Sequence, residues 1–301
     1  MNSNPGEAPP GYQTVGGDAV RPRLLAMIPA TERTWELAGV STAVLAGGSG
    51  PPIVILHGGG QFAATWTRVI SQLVTGHRVI VPDLPGHGAS HVQQGVLDAD
   101  RVLAWVGELL EATCPSPPVL LGHSLGGAIA ARFATDHGAR ISSLVLVDTF
   151  GLSKFRPARP LALAMVGFLV EPTEHTRDRF LGQRMLDLSR ARTDMGEAWE
   201  LIAAYALECA RSPSVRAAGR NLMKGFGVSA IPAEDLQRIA VPTTLIWGGD
   251  DLQVPPLVAE GARARYGWPL HVIDDCGADP HIEQPEALLE ALSDTTVDRW
   301  P

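Results

Sequence analysis

The sequence predicts an α/β fold with a mostly parallel twisted sheet, flanked by helices and interrupted by a helical insertion. Three observations predict it. Short apolar runs recur along the chain, and helical stretches lie between several of them. Between residues 151 and 239 this alternation stops, and helical patterns follow one another without strands. Strands that alternate with helices imply parallel pairing with right-handed crossovers.

The predicted strands are the apolar runs. They are rich in β-branched and aliphatic residues and do not alternate with polar ones, which is typical of strands buried on both faces. They lie at 53–56, 79–81, 119–121, 144–147, 244–247 and 271–273. The helices predicted among them span 98–113, with Asp98 as N-cap, 125–137, with Gly138 just past its end, and 284–292.

The pattern divides the chain into three parts. Residues 1–32 are predicted to be a leader with one short helix at 23–28. Residues 33–150 and 240–301 are predicted to form the core, which begins with a hairpin over 35–45 that turns near Gly39. Residues 151–239 are predicted to be a helical cap, with helices over 161–170, 177–189, 197–209 and 215–225. The cap is rich in Met and aromatic residues, which suits a roof over an apolar ligand, although packing onto the core is the simpler explanation for any single one.

Composition excludes several classes of function. Apolar residues make up 45% and charged residues 19%, the balance of an ordinary globular protein. A net charge of −8 argues against a nucleic-acid surface. We see no apolar run long enough to cross a bilayer and no secretory signal. The scattered Cys114, Cys209 and Cys276 have neither a metal spacing nor a disulfide pattern. We therefore expect a cytoplasmic protein with reduced thiols and no membrane partner.

A nucleophile is predicted at Ser124. An apolar run leads into Gly122-His123-Ser124-Leu125-Gly126, and a helix rich in small residues follows. In this arrangement the serine sits on a strained strand-to-helix turn, and the glycines let strand and helix pass closely. Ser124 then lies at the carboxyl edge of the sheet, where open α/β sheets bind their ligands.

An oxyanion hole needs two backbone N–H donors. The residue after the nucleophile, Leu125, is predicted to supply one. The strand at 53–56 leads into His57 and a run of three glycines, whose backbone can approach a substrate closely. Gly59 is the predicted second donor, with Gly60 as the alternative. His57 is expected to hold the loop rather than to act as a base.

With these residues in place, the chain resembles the α/β-hydrolase superfamily over roughly residues 33–296, in the serine branch with a helical cap. The loop from Asp83 to Ser90 is similar to the Asp-x-x-Gly-x-Gly-x-Ser loop of that branch. The segment from Gly248 to Pro255 resembles the loop that carries the triad acid, and the spacing in that pattern selects Asp251 over Asp250. The resemblance implies that Asp251 orients a histidine and stabilises its imidazolium form.

The resemblance also places the catalytic histidine, and this chain departs from it there. The family pattern Gly-His-x-x-x-x-Glu-x-Pro matches Gly277 to Pro285, so that Ala278 stands at the histidine position. Three explanations are open: a deliberate substitution, a natural loss that left a ligand-binding protein, or an enzyme that recruits His281 instead. Related sequences often carry a second, non-catalytic histidine where His281 stands. We expect the chain to be close to inactive and still able to bind substrate.

The expected reaction is hydrolysis of a carboxylic ester or lactone of an apolar small molecule through an acyl-enzyme. The glycine loop is also similar to that of carbon–carbon hydrolases that act on ring-cleavage products. Those enzymes usually have Asn before the serine and an aromatic residue after the histidine, where this chain has His123 and Asp279. A non-catalytic small-molecule binding protein is the third hypothesis. The glycine-rich segments lack phosphate-loop and dinucleotide patterns, and we predict neither a metal nor a cofactor. The pattern leaves the oligomeric state open.

Overall fold

A computed structural model describes residues 20–93 and 95–294. Residues 1–19 of the predicted leader and 295–301 of the predicted core lie outside these ranges. The described strands, β1 to β9, form one sheet. In chain order they are Thr31–Leu37, Val40–Gly47, Pro52–Leu56, Arg78–Pro82, His91–Val92, Val119–His123, Ser143–Val147, Thr243–Gly248 and Leu270–Ile273.

The sheet is mixed and mostly parallel, which confirms the predicted fold class. Its strand order is β1-β2-β4-β3-β6-β7-β8-β9, and β5 pairs with β2. The pairs that involve β2 are antiparallel, whereas the pairs from β4 across to β9 are parallel. The predicted hairpin is β1 and β2, with Gly39 in its turn at a φ of 72°.

Helices cover both faces of the sheet, and a group of them fills the stretch between β7 and β8. The described helices, α1 to α13, are Val20–Ala26, Thr67–Leu73, Ala99–Thr113, Leu125–His137, Arg159–Val170, Glu174–Leu181, Leu188–Met195, Glu197–Arg211, Pro213–Leu222, Ala233–Gln237, Pro256–Tyr266, Pro280–Glu283 and Pro285–Asp294. Short 3-10 turns at Ala63–Trp66 and Gly138–Arg140 and a π turn at Met223–Gly227 complete them.

Local sequence explains the start of α3. The Asp98 side chain accepts a hydrogen bond from the Arg101 N–H across 3.0 Å, and so caps α3 as predicted. Gly138 directly follows the last residue of α4, His137, as predicted. Its φ is −51°, and the chain continues there into the 3-10 turn at Gly138–Arg140.

The single helix predicted over 177–189 is two helices. Thr173 caps α6 with a capping box, and the side chain of Asp187 caps α7 by accepting from the Arg190 N–H. The second cap offers the backbone an alternative to continuing α6, and the pattern of apolar residues did not reveal it. The segment between the two helices carries Arg184, which contacts the core.

The topology places the functional loops at one edge of the sheet. Parallel strands β3, β6, β7 and β8 end side by side, so the residues that follow them meet. Those residues include Gly59, Ser124, Asp148 and Asp251.

Candidate active site

Ser124 lies between β6 and α4, where the backbone turns sharply. Its φ of 51° and ψ of −114° fall where non-glycine residues are rare, a conformation that costs on the order of 1–3 kcal/mol. The Ser124 N–H donates to the Val147 carbonyl across 2.9 Å, and the Ser124 carbonyl accepts from the Phe150 N–H across 3.1 Å. These bonds to β7 and the residues after it hold the strained turn in place.

Close packing explains the glycines of the turn. A Cβ at Gly126 would stand 2.2 Å from the Leu56 carbonyl oxygen, and one at Gly127 would stand 2.0 Å from Thr149 Oγ1. Contacts this short with the Leu56 backbone and the buried Thr149 side chain could be relieved only by moving α4 away from the sheet. The glycines therefore seat the helix directly behind Ser124.

The two predicted oxyanion donors are neighbours. A Cβ built on Gly59 would lie 3.4 Å from Leu125 Cδ2, so the glycine loop touches the first residue of α4. Within the described ranges, neither the Gly59 nor the Leu125 N–H donates a backbone hydrogen bond. Both donors are thus free for a developing negative charge. Gly60, the alternative donor, is exposed and has a φ of 75°.

His57 holds the glycine loop. Its Nε2 accepts from the Leu84 N–H across 2.9 Å, and its Nδ1 donates to the Gly58 carbonyl across 2.8 Å. Burial lowers the pKa of His57 to about 3, so the ring stays neutral. Both ring nitrogens are committed to the backbone, which supports the structural role expected from the sequence.

Asp251 is a buried carboxyl with one oxygen unused. Its Oδ1 accepts from the N–H groups of Gln253 and Val254 across 2.6 and 3.0 Å. Its Oδ2 has no hydrogen-bond partner among the described residues. Burial raises the pKa of Asp251 to about 7. The neighbouring Asp250 is exposed. A triad acid whose histidine is missing would leave an oxygen in this condition.

Asp148 is a second buried carboxyl, which the sequence analysis missed. It directly follows β7, and its Oδ1 accepts from the Gly248 N–H across 2.9 Å while its Oδ2 is unpaired within the described part of the chain. Burial raises the pKa of Asp148 well above its usual value, and the charge of Asp251 raises it further. An acidic residue directly after a buried parallel strand was the signal that could have found it.

Ala278 occupies the position where the family pattern has its histidine. Its N–H donates to the Arg184 carbonyl across 2.8 Å, and its carbonyl accepts from His123 Nε2 across 2.8 Å. The acid loop packs on the same segment, since the Asp250 N–H donates to the Cys276 carbonyl across 2.8 Å. The segment is therefore held firmly next to the loop that carries Asp251. The side chain of Ala278 is a buried methyl group, however, and cannot exchange a proton.

Gln253 provides the hydroxyl of Ser124 with a hydrogen-bond partner. Its Nε2 donates to Ser124 Oγ across 3.0 Å, within buried surroundings. A neutral amide does not remove a proton from serine, so this contact positions the hydroxyl without activating it. Sequence reasoning missed Gln253 because no pattern marks it.

His281 does not supply a base. Its ring is completely buried and stacks on Trp66, with ring centroids 4.3 Å apart. Burial lowers the pKa of His281 well below its usual value, and the neighbouring His123 lowers it further. In the described part of the chain its partners are Trp66, His123 and Gln61, not Ser124. The structure therefore supports a structural role.

One buried group, His123, Asp279 and His281, has the composition of a metal site. However, Arg184 donates to Asp279 Oδ1 across 2.7 Å, and His123 Nε2 is bonded to the Ala278 carbonyl. A guanidinium on the only carboxylate of the group opposes a second cation. We therefore assign these residues to a buried cluster next to position 278, in which Asp279 pairs with Arg184 and the two histidines form hydrogen bonds and ring contacts. No helix in the described ranges is long and apolar enough to span a membrane.

Together, the fold and the strained serine turn define the class of α/β hydrolases. A model of the alpha/beta hydrolase family matches residues 53–291, and the chain belongs to this family. The chain is 30% identical over 256 residues to a pimeloyl-[acyl-carrier protein] methyl ester esterase of Aromatoleum aromaticum, covering 81% of this chain and 97% of the relative. It is 30% identical over 269 residues to an esterase of Mycobacterium tuberculosis, covering 88% of each.

Solved structures share the fold. One described as a membrane phospholipase A and bacterial virulence factor superposes with a TM-score of 0.76 at 25% identity. The match covers 93% of this chain and 89% of that one.

Proposed function

We propose that this protein binds an apolar carboxylic ester or lactone at a serine-hydrolase site, and that acyl transfer is nearly silent because position 278 is alanine. The observation that carries the proposal is the free oxyanion pair, Gly59 and Leu125, beside a strained and buried Ser124. The esterase relatives support an ester as the ligand.

Each residue has a definite part in the reaction. Ser124 Oγ would attack the acyl carbon, and the N–H groups of Gly59 and Leu125 would stabilise the charge on the carbonyl oxygen. A histidine at 278 would take the serine proton and pass it to the leaving group, with Asp251 stabilising the imidazolium. Without that base, kcat of a serine triad falls on the order of 10⁶-fold.

The contact from Gln253 to Ser124 favours a second candidate, a small-molecule binding protein without turnover. In the absence of a base, the Gln253 amide gives the buried Ser124 hydroxyl a hydrogen-bond partner, so the hydroxyl is not left unpaired. The unpaired Oδ2 of Asp251 favours the enzyme instead, since a binder has no use for a buried carboxyl that lacks a partner.

The carbon–carbon hydrolase stays a less favoured alternative. In this chain His123 and Asp279 stand where those enzymes carry Asn and an aromatic residue. Both are engaged in the buried cluster next to position 278, His123 with the Ala278 carbonyl and Asp279 with Arg184.

The test compares the present chain with Ala278→His on short-chain nitrophenyl esters and lactones. We expect the variant to hydrolyse them at least about a thousandfold faster, given the size of the histidine contribution. Ala278→His combined with Ser124→Ala is the matched control and should be inactive. Equal rates for the present chain and Ala278→His would refute the proposal, and cleavage of a vinylogous diketone alone would favour the carbon–carbon alternative.

A further inference from the structure

A cavity of about 410 Å³ adjoins the nucleophile on the side of the acid loop. Gln253 lines it, and the same side chain contacts Ser124 Oγ, so the cavity begins one side chain away from the reacting atom. Its volume is in the range of small-molecule sites. Most of its wall is apolar: Phe150, Phe155, Val254, Pro255 and Val258.

Two cations interrupt this apolar wall. Lys154 and Arg156 both line the cavity and lie two residues apart, on the segment that connects β7 to α5. Both side chains are exposed, and neither forms an ion pair or hydrogen bond with another described residue. No acidic residue is among the described residues that line the cavity.

The charge of the described cavity lining is positive, although the whole chain is acidic. The chain carries a net charge of −8, and several arginines elsewhere, among them Arg184 with Asp279 and Arg192 with Asp178, are paired with carboxylates. Single surface cations are ordinarily just solvated. Two unpaired cations on the wall of an apolar cavity beside the nucleophile instead favour a ligand that combines a hydrophobic body with an oxyanion.

We propose that this cavity binds a substrate with an acidic group, a carboxylate or a phosphate, at the end remote from its ester bond. Lys154 and Arg156 contact the acidic group, and the phenylalanine and valine side chains of the wall contact the chain between it and the ester. Arg156 suits either oxyanion, since its planar guanidinium can donate two parallel hydrogen bonds. The inference rests on the proposed function only in taking the ligand to be an ester.

Binding tests the inference directly, because the present chain turns substrate over slowly. We would measure by calorimetry, at low salt, the affinity for monomethyl suberate, for dimethyl suberate and for methyl 6-phosphonooxyhexanoate. The acidic esters should bind about 5- to 20-fold more tightly than the diester, the size expected for two partly exposed ion pairs. The tighter binder of the two acidic esters shows whether the cavity prefers a carboxylate or a phosphate. Added salt should weaken only the acidic ligands.

The matched variants are Lys154→Gln/Arg156→Gln and, as control, Arg159→Gln. Arg159 is exposed and close in sequence but does not line the cavity. The double variant should lose the preference for acidic esters, and the control should keep it. Equal affinity for acidic and neutral esters, no binding of any of them, or a preference that survives in the double variant would overturn the inference.

The two proposals fail separately. If Ala278→His hydrolyses neutral esters but shows no preference for acidic ones, only the inference about the cavity is wrong. If acidic ligands bind through Lys154 and Arg156 while Ala278→His cleaves no ester, only the hydrolase proposal is wrong.

Discussion

Gln253 Nε2 donates a hydrogen bond to Ser124 Oγ across 3.0 Å, on the hydroxyl that a catalytic base would have to reach. The same residue's backbone N–H donates to Asp251 Oδ1. Gln253 therefore contacts both the predicted acid and the predicted nucleophile, through its backbone and its side chain respectively, while Ala278 stands at the predicted base position. A histidine introduced at position 278 would have to compete with the amide for the serine hydroxyl.

The first prediction concerns this competition. In the Ala278→His background, Gln253→Leu should raise kcat for nitrophenyl butyrate about 3- to 10-fold, since it removes one hydrogen bond that holds the serine hydroxyl. In the present chain the same change should leave the residual rate within about twofold of its starting value, because no base is there to benefit. Leu252→Ala, at the exposed neighbouring position, is the control. A fall in kcat for Gln253→Leu would mean that the amide assists the reaction.

The second prediction concerns the oxyanion hole. Gly59→Pro in the Ala278→His background removes one N–H donor and should lower kcat about 10²- to 10³-fold. Gly59→Ala is the matched control, because it keeps the N–H and its Cβ would meet Leu125 at 3.4 Å, an ordinary contact. Circular dichroism would verify that both variants fold. If proline at 59 leaves kcat intact, the donor lies elsewhere, with Gly60 the first alternative.

The third prediction concerns pH. Burial raises the pKa of Asp251 to about 7, above the value of about 3.9 in an unfolded chain, so the folded state holds a proton that the unfolded state releases. The free energy of unfolding should therefore decrease as pH rises from about 4 to about 7. Asp251→Asn keeps an oxygen for the two N–H donors and has no charge. It should increase stability at pH 8 by up to about 4 kcal/mol and flatten the pH profile.

Urea unfolding between pH 4.5 and 8 measures this effect, with exposed Asp250→Asn as the control that should leave the profile unchanged. A profile for Asp251→Asn as steep as that of the parent would assign the proton to Asp148 instead, whose pKa burial also raises.

The fourth prediction concerns the ion pair between the insertion and the core. Arg184 and Asp279 are both buried, and Arg184→Gln would leave the carboxylate without its cation. The free energy of unfolding should fall by about 3–5 kcal/mol. Arg192→Gln, which breaks a half-exposed pair with Asp178 inside the insertion, should cost about 1 kcal/mol or less. Equal decreases in the free energy of unfolding for the two variants would show that burial does not make the Arg184–Asp279 pair more important for stability.

Much of the fold could be predicted from local pattern. The central strands appear as apolar runs because they are buried on both faces, and the predicted runs lie within the observed β3, β4, β6, β7 and β8. The run at 271–273 lies within β9, which is at the edge of the sheet and only partly buried. The helix boundaries in the insertion were harder to predict from the sequence. The division of 177–189 into α6 and α7 depends on capping by Thr173 and Asp187, which apolar periodicity does not record.

The sequence by itself determined the candidate nucleophile, acid and glycine-loop residues, and that alanine stands at position 278, where the family pattern has its histidine. These features can be recognised because each lies in a short sequence motif with strict spacing. Only the tertiary structure decided that Gln253 contacts Ser124 and that Asp148 lies beside Asp251. Only the tertiary structure placed Lys154 and Arg156 on a cavity at the site. Such contacts join residues far apart in the chain, 129 positions in the case of Gln253 and Ser124, and arise from packing at the sheet edge rather than from local pattern.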